Sequence, residues 1–200
     1  MKHTKVVAFA DDLIPVIRNS TTRAAENIAN VEMTKISAWA KKNRIQFNEE
    51  KSKVMIVSRR KRKENKEINI YINNKPIKQA IKMKYLGLQI DNKFKFSEHI
   101  SYTAERCSKL IHSLSKLAKL TWGLNHKALL TTYKGAIPPL LLYGAPVLAE
   151  AMKYEHNRLK YVRVQRLINI KIVKAFRTTS SEALCVLAGT TPIVIRTEEA

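Results

Sequence analysis

The sequence predicts an α+β chain, with antiparallel hairpins and one helix over residues 1–95 and an all-α region over 96–200. Three observations predict it. Short runs rich in Val and Ile are separated by an Asp-Asp and an Asn-Asn pair, the pattern of strands joined by tight turns. One stretch between those runs carries apolar residues at helical spacing. After Asp91-Asn92 the texture changes, and apolar residues recur in steps of three and four.

Residues 5–9 read as a strand, Asp11-Asp12 interrupts it, and residues 13–17 resume it. The two acids are therefore expected at a hairpin tip, with Pro15 on an edge strand because it has no amide to give a central one. Residues 19–22 offer several N-caps for a helix running to about Lys42. Its Ala24, Ala25, Ile28, Val31, Ile36 and Trp39 fall on one side, a stripe expected to face the core. Residues 52–58 read as the next strand, and Arg59 to Lys63 as a basic loop. Ile68, Ile70 and Ile72 alternate, Asn73-Asn74 turns, and residues 75–79 return as a second hairpin. Residues 83–90 read as a further strand with Gly87 in its middle.

In the second region, Ile100, Ala104, Cys107, Leu110, Ile111, Leu114, Leu117 and Ala118 form the apolar stripe of a helix over 97–121. Another helix starts near Asn125, with an interruption expected at Pro138-Pro139 and a continuation through 140–148. A basic helix covers 154–176. Residues 178–181 cap a short last helix ending near Gly189, a good residue for a helix C-terminus.

The chain carries 37 Lys+Arg against 16 Asp+Glu, a formal charge of +21, and is 45% hydrophobic. It has the apolar residues for a core and an excess of cations that argues for a polyanionic partner, because neutralising phosphates releases condensed counterions. Nucleic acid is favoured over an anionic membrane, since no segment reads as a basic interfacial helix. No run of about 18 apolar residues exists to span a bilayer. The first residues do not read as a signal peptide, so a nuclear or cytoplasmic rather than a secreted protein is expected. Cys107 and Cys185 have no partner at ligand spacing and read as small buried hydrophobes in a reducing compartment, with no zinc knuckle.

Adjacent aspartates in a turn between apolar strands repel each other. A bound Mg²⁺, which favours carboxylate oxygens, offsets that repulsion. The plainer reading is a polar hairpin tip, since Asp is common in turns. From the pair alone the plainer reading is the better one, and the rest of the chain shifts the balance.

Four motifs in order carry a resemblance. Phe9-Ala10-Asp11-Asp12 resembles the [Tyr/Phe]-Ala-Asp-Asp box of reverse transcriptases, in particular those of non-LTR (LINE-type) retrotransposons. Asn48-Glu49-Glu50-Lys51-Ser52 is similar to the family's Asn-x-x-Lys-[Ser/Thr] motif, and Tyr85-Leu86-Gly87 to its [Tyr/Phe]-Leu-Gly strand pair. Tyr133-Lys134 with Leu142-Tyr143-Gly144-Ala145-Pro146, and the stretch from Phe176 to Ile193, resemble its thumb segment. The resemblance covers nearly the whole chain. It implies a partial polymerase palm over 1–95 and a helical thumb-like region over 96–200.

The resemblance also implies an RNA-directed DNA polymerase that transfers nucleotides with Mg²⁺ held by Asp11 and Asp12. Phe9 is implied to pack beside the primer end, and Lys51, rather than Lys53, to protonate the leaving pyrophosphate. Tyr85, Leu86 and Gly87 are implied to grip the primer, with Gly87 allowing close backbone approach. The implied partners are an RNA template, a DNA primer and dNTPs. The family's palm needs a third carboxylate from an earlier strand and a glycine-containing nucleotide-pocket motif. Ten residues precede Asp11 and none is acidic, so the fingers, the third carboxylate and the endonuclease domain are expected outside this sequence. An inactive chain on its own is therefore expected. The alternative is a non-enzymatic nucleic-acid-binding relic of such a polymerase.

Lys153, Arg158, Lys160, Arg163 and Arg166 crowd the 154–176 helix with few acids beside them, and the segment reads as phosphate-contacting. Arg59 to Lys63 resembles a nuclear localisation patch, although a solvated loop is the favoured reading. Trp39, Trp122 and Tyr133 are candidates for base stacking, with core packing favoured for Trp39. The histidines form no metal pair.

Overall fold

The structure is a computed structural model that describes residues 4–58, 67–117 and 125–199, the side chains of 115–117 excepted. The basic patch Arg59 to Lys63, Trp122 and Ala118 lie outside the described residues. The chain is α+β and separates into two compact units, Met1–Met83 and Lys84–Ala200.

The first unit opens with a hairpin of β1 (Thr4–Phe9) and β2 (Asp12–Ile17), paired antiparallel from Thr4↔Ile17 to Phe9↔Asp12. Pro15 sits opposite Val6 in a two-stranded sheet, where every strand is an edge. Helix α1 (Thr22–Lys42) starts at Thr21, whose Oγ1 accepts the Ala24 amide at 3.3 Å, as the sequence indicated. β3 is only Lys53–Val54, shorter than the strand expected over 52–58, and pairs in parallel with β6 (Lys78–Gln79). Between them β4 (Tyr71–Ile72) and β5 (Lys75–Pro76) form the second hairpin. Asn73 and Asn74 both have positive φ (49° and 64°), the geometry whose twist suits a two-residue hairpin turn and which Asn tolerates.

The core of this unit is Ala29, Met33, Ile70 and Ile72, with Ile17, Ile36, Phe47, Val54, Ile68 and Ile77 packed against it. Helix α1 therefore faces its sheets through an arc that keeps Ile36 of the expected stripe but leaves out Val31 and Trp39. Val31 and Trp39 are 56% and 54% exposed, so the core placement of Trp39 is corrected. The arc that packs includes small and polar residues. Asn30 bonds across to the Asn69 carbonyl (2.9 Å) and the Tyr71 amide (3.1 Å), and Glu26 accepts the Asn69 amide (3.1 Å). Short strands leave backbone groups that these side chains satisfy, and that outweighs the apolar content of the opposite arc.

In the chain's middle, the strand expected over 83–90 is instead two, β7 (Lys82–Tyr85) and β8 (Leu88–Asp91), paired with each other. Leu86 and Gly87 between them have positive φ (43° and 80°), so the glycine marks a reversal rather than a strand interior. The loop after β8 is organised by Asp91, whose carboxylate accepts the amides of Lys93 (2.9 Å), Lys95 (3.2 Å) and Phe96 (2.8 Å). Partial burial pushes its pKa up, but these amides outweigh it and hold the carboxyl below its ordinary value.

The second unit is helical: α2 (Ser97–Leu117), α3 (His126–Leu142), α4 (Ala145–Met152), α5 (Glu155–Val173), α6 (Ser181–Ala188) and α7 (Ile193–Glu199). Ile100, Ala104, Cys107 and Ile111 are buried as the spacing required, while Leu110 is exposed. Both cysteines are free and buried, and burial pushes the Cys107 thiol up to about 11. Asn125 caps α3 by accepting the Ala128 amide at 2.8 Å.

The expected interruption at Pro138-Pro139 is absent. Both prolines lie inside α3, Pro138 buried in the core, and the chain turns instead at Gly144 (φ 73°, ψ 18°). No single described helix is long and apolar enough to cross a membrane, although α3 and α4 together pass by length and composition with a 72° bend between them. Ser180 caps α6 and Gly189 closes it with φ 62°, both as read. Helix α7 after it went unread.

Helix α5 is the axis of this unit, packing against α2, α3, α4, α6 and α7. Its buried side includes Tyr161, Val164, Ile168 and Ile172, but also Asn157, Gln165 and Asn169. These amides are tethers. Asn157 Nδ2 donates to the Ala151 carbonyl (2.9 Å) at the end of α4. Gln165 Nε2 donates to Tyr133 Oη (3.1 Å) on α3 and to the Thr191 carbonyl (2.8 Å), while its Oε1 accepts the Ile193 amide (2.8 Å). Asn169 Nδ2 donates to Thr190 Oγ1 (3.0 Å).

Candidate functional site

The acidic pair sits where its sequence context put it. The two-residue connection of the first hairpin is Ala10-Asp11, so Asp11 is at the turn and Asp12 is the first residue of β2. Asp12 pairs directly with Phe9, which places those two side chains on one face of the hairpin. Both aspartates are exposed, as is Phe9, at 60%. Ala10 adopts φ 51°, a left-handed conformation that costs an L-residue other than glycine roughly 1–2 kcal/mol. The tip is thus strained as well as acidic, a combination that clusters at functional sites.

In the same unit, Asn48 builds the turn that presents Lys51. Asn48 Oδ1 accepts the Lys51 amide (2.9 Å), and its carbonyl accepts both the Ser52 amide (3.0 Å) and Ser52 Oγ (2.7 Å). This accounts physically for an Asn three before the lysine and a hydroxyl after it: each satisfies backbone that β3, just downstream, does not. Lys51 itself is exposed. Glu49 is turned away to Asn73 Nδ2 (3.2 Å) and Lys75 (3.8 Å).

The Tyr85-Leu86-Gly87 turn is held by a residue whose role the sequence reading missed. Tyr143 Oη donates to the Leu86 carbonyl at 2.6 Å. A Cβ on Gly87 would lie 3.0 Å from Tyr143 Cε1, and one on Gly144 would lie 2.8 Å from Leu88 Cδ2. Two glycines, each fitted under a side chain next to the other, lock the hairpin onto the α3–α4 corner. The close approach that Gly87 permits in this structure is to the Tyr143 ring. The signal was present in the sequence as two Leu/Tyr-containing triplets ending in Gly, but nothing local pairs them.

His99, buried at the start of α2, accepts the Gln89 amide on Nδ1 (3.3 Å), and burial lowers its pKa.

Of the basic residues of α5, three already have intramolecular partners. Arg158 pairs with Glu155 (3.2 Å), Lys160 Nζ donates to Ser101 Oγ (2.7 Å), and Arg166 donates to Ser181 Oγ (3.2 Å) and the Arg177 carbonyl (2.5 Å). Arg163 is exposed and bonds to none of the described residues. Tyr133 is 2% exposed and bonded to Gln165, which removes it from base stacking.

No family model and no solved structure matches the chain. Relatives by sequence do. It is 31% identical over 206 residues to the retrovirus-related Pol polyprotein from type-1 retrotransposable element R1 4 of Nasonia vitripennis, covering 94% of the chain and 51% of that relative. It is 29% identical over 193 residues to the Pol polyprotein from element R1 2 of the same wasp, covering 94% and 46%. The chain is a homologue of the Pol polyproteins of R1-type retrotransposable elements. The likeness extends to the probable RNA-directed DNA polymerase from transposon X-element of Drosophila melanogaster, 26% identical over 82% of the chain and 18% of the relative. The chain thus spans about half the length of these R1 Pol polyproteins.

Proposed function

We propose that the chain is the carboxyl-terminal part of a reverse-transcriptase palm followed by its thumb, the part of an RNA-directed DNA polymerase that carries two of its metal-binding carboxylates. The observation behind this reading is the exposed tip with adjacent Asp11 and Asp12, in a chain whose relatives along nearly all its length are retrotransposon Pol proteins. Those relatives favour the enzyme reading over a non-enzymatic relic.

The residues fit Mg²⁺. Two hard oxygen donors come from consecutive exposed residues at the hairpin tip, and Mg²⁺ is commonly held by one or two carboxylates with water and substrate phosphate oxygens completing its shell. When bound, the metal activates the primer 3′-OH and stabilises the leaving pyrophosphate. In the unit that carries the aspartates, Phe9 packs beside the primer end on the face it shares with Asp12. Lys51, fixed by the Asn48 turn, supplies a proton to pyrophosphate. Tyr85, Leu86 and Gly87, braced by Tyr143, hold the primer strand, and Arg163 leads the contacts of α5 with the phosphates of an RNA/DNA duplex. The chain covers about half the length of its R1 relatives, and these 200 residues are proposed not to extend a primer on their own.

A chimera tests this. The chain replaces the matching segment of the X-element polymerase, and RNA-templated primer extension is measured with Mg²⁺. Extension is expected, and Asp11→Asn or Asp12→Asn is expected to lower it on the order of 10³-fold, the several kcal/mol that metal stabilisation of transition-state charge supplies. A chimera as active with Asn at both positions would sink the metal role. Extension by the isolated chain that Asp11→Asn abolishes would sink the proposal of inactivity.

A further inference from the structure

We propose a phosphate-binding site in the helical unit, in the cavity of about 290 Å³ lined by Tyr133, Lys134, Gly189, Thr190, Thr191 and Arg196. The sequence reading placed Lys134 in the thumb resemblance without giving it a ligand and assigned nothing to Arg196, and the site goes beyond the polymerase roles given above.

The lining is cationic and rich in hydroxyls. Lys134 from α3 and Arg196 from α7 supply two positive charges, and no acid lines the space. Neither cation is ion-paired with a described residue. Tyr133 Oη already accepts from Gln165 Nε2, which leaves its own proton for a further acceptor. Burial pushes that phenol up, and the Gln165 bond and the charge of Arg196 pull it partly back. Thr190 and Thr191 add two hydroxyls. At about 30 Å³ per water, the space takes one tetrahedral oxyanion with its waters. A phosphate matches two cations and several donors with its charge and its acceptor oxygens, where a carboxylate would leave donors unfilled.

The site is also built rather than incidental. Its rim is the link between α6 and α7, and the buried amides of α5 fix that link at three points. Asn169 Nδ2 holds Thr190 Oγ1, Gln165 Nε2 holds the Thr191 carbonyl, and Gln165 Oε1 holds the Ile193 amide. Gly189 turns the chain into the link at φ 62°, and a Cβ there would meet nothing within 4 Å, so the approach beside it is open. Donors held in advance bind an anion without the entropy cost of ordering a loop. The phosphate is either free or carried by a nucleic-acid strand, and the chemistry of the cavity is the same for both.

Inorganic phosphate is titrated into the full ¹⁵N-labelled chain and backbone amide shifts are followed. Gly189, Thr190 and Thr191 are expected to move saturably. The movement should vanish in Lys134→Gln/Arg196→Gln at an unchanged thermal midpoint and persist in the charge-keeping Lys134→Arg. No saturable movement, or the same movement in the double Gln variant, overturns the site. A second arm measures binding of an RNA/DNA hybrid against salt by fluorescence anisotropy. A salt slope shallower by about 0.9 in the double Gln variant assigns the site to a strand phosphate, since each neutralised phosphate contributes that amount. An unchanged slope in that variant, with saturable phosphate shifts seen in the parent and lost in the variant, assigns it to free phosphate. Complete failure to bind the hybrid would count against the polymerase reading while leaving the amide shifts to judge the cavity.

Discussion

The two units reach stability by opposite means. In the first, four small and medium side chains form the buried core, the four strands β3 to β6 are each only two residues long, and Val6, Val7, Phe9 and Val16 remain exposed on the hairpin that carries the acids. A two-stranded sheet is marginal by itself. In the second, α5 is surrounded by five helices and tied to them by buried amides as well as by apolar contacts. The difference teaches where to look for each property. The proposed chemistry sits on thin, locally strained structure, while the helical unit supplies rigidity. Regions with few buried apolar contacts open first, so substitutions in the two units should report on different events.

The sharpest break would come from the helical unit. Gln165→Leu leaves Tyr133 Oη, the Thr191 carbonyl and the Ile193 amide without their partner in a buried place. A loss of roughly 3–5 kcal/mol is expected, because each orphaned buried group carries its own desolvation cost. Urea unfolding of the full chain measures it. Asn30→Ala, the nearest counterpart in the first unit, removes two bonds at an exposed site and should cost about 1 kcal/mol. Equal losses would erase the contrast between the units.

That contrast was only half legible in the sequence. Ends were readable because caps act locally: Thr21, Asn125, Ser180 and Gly189 each satisfy backbone within a turn of their own position. The hairpin tip was readable for the same reason. The facing of elements was not. Trp39 lies on the most apolar arc of α1, yet the arc that packs uses Ala29, Met33 and Ala40 with Glu26 and Asn30, because short sheets ask for hydrogen bonds as much as for apolar area. Gln165 and Asn169, to which the sequence reading gave no role, are buried tethers of the basic helix. In the proposed site, the identity of Asp11, Asp12 and Lys51 came from motif and order, while the bracing of Leu86 by Tyr143 joins residues 57 apart, and no local pattern encodes that.

The next largest effect tests the bracing. Gly144→Ala must adopt φ 73° and push its Cβ to 2.8 Å from Leu88 Cδ2, so a loss of about 2 kcal/mol is expected from the left-handed strain and the displaced side chain together. Gly87→Ala, at 3.0 Å from the Tyr143 ring, should cost somewhat less, because the ring is partly exposed and can shift. Tyr143→Phe removes only the bond to Leu86 and should cost about 1 kcal/mol. If all three variants unfold at the same urea concentration as the parent, the hairpin is not held by the helical corner.

Acid provides a smaller and reversible probe of the same hairpin. His99 must be neutral to accept the Gln89 amide, and burial depresses its folded pKa below the unfolded value. The unfolded state therefore binds the proton more readily, so this contribution is fully present above the unfolded pKa of about 6.5 and is lost as pH falls below it toward the folded pKa. Stability of the parent should decline over that window. His99→Gln, which has no group titrating there, should flatten that part of the profile, and an unchanged profile would remove His99 as its origin.

The smallest effect falls on the acidic tip. Ala10 at φ 51° is strained by roughly 1–2 kcal/mol relative to glycine, while Ala10→Gly gives back about 0.4–1 kcal/mol by loosening the unfolded chain. The balance favours Gly by a few tenths to about 1 kcal/mol. Because the hairpin opens locally, the gain should appear as slower hydrogen exchange at β1 and β2 amides, with the helical unit unchanged. Faster exchange would mean that the alanine is at ease there. The same substitution separates strain that is tolerated from strain that is used. If the left-handed Ala10 serves to aim the two carboxylates, Ala10→Gly in the chimera should firm the hairpin and still lower primer extension. If extension rises with hairpin stability, the strain is a cost of the sequence and no part of the chemistry.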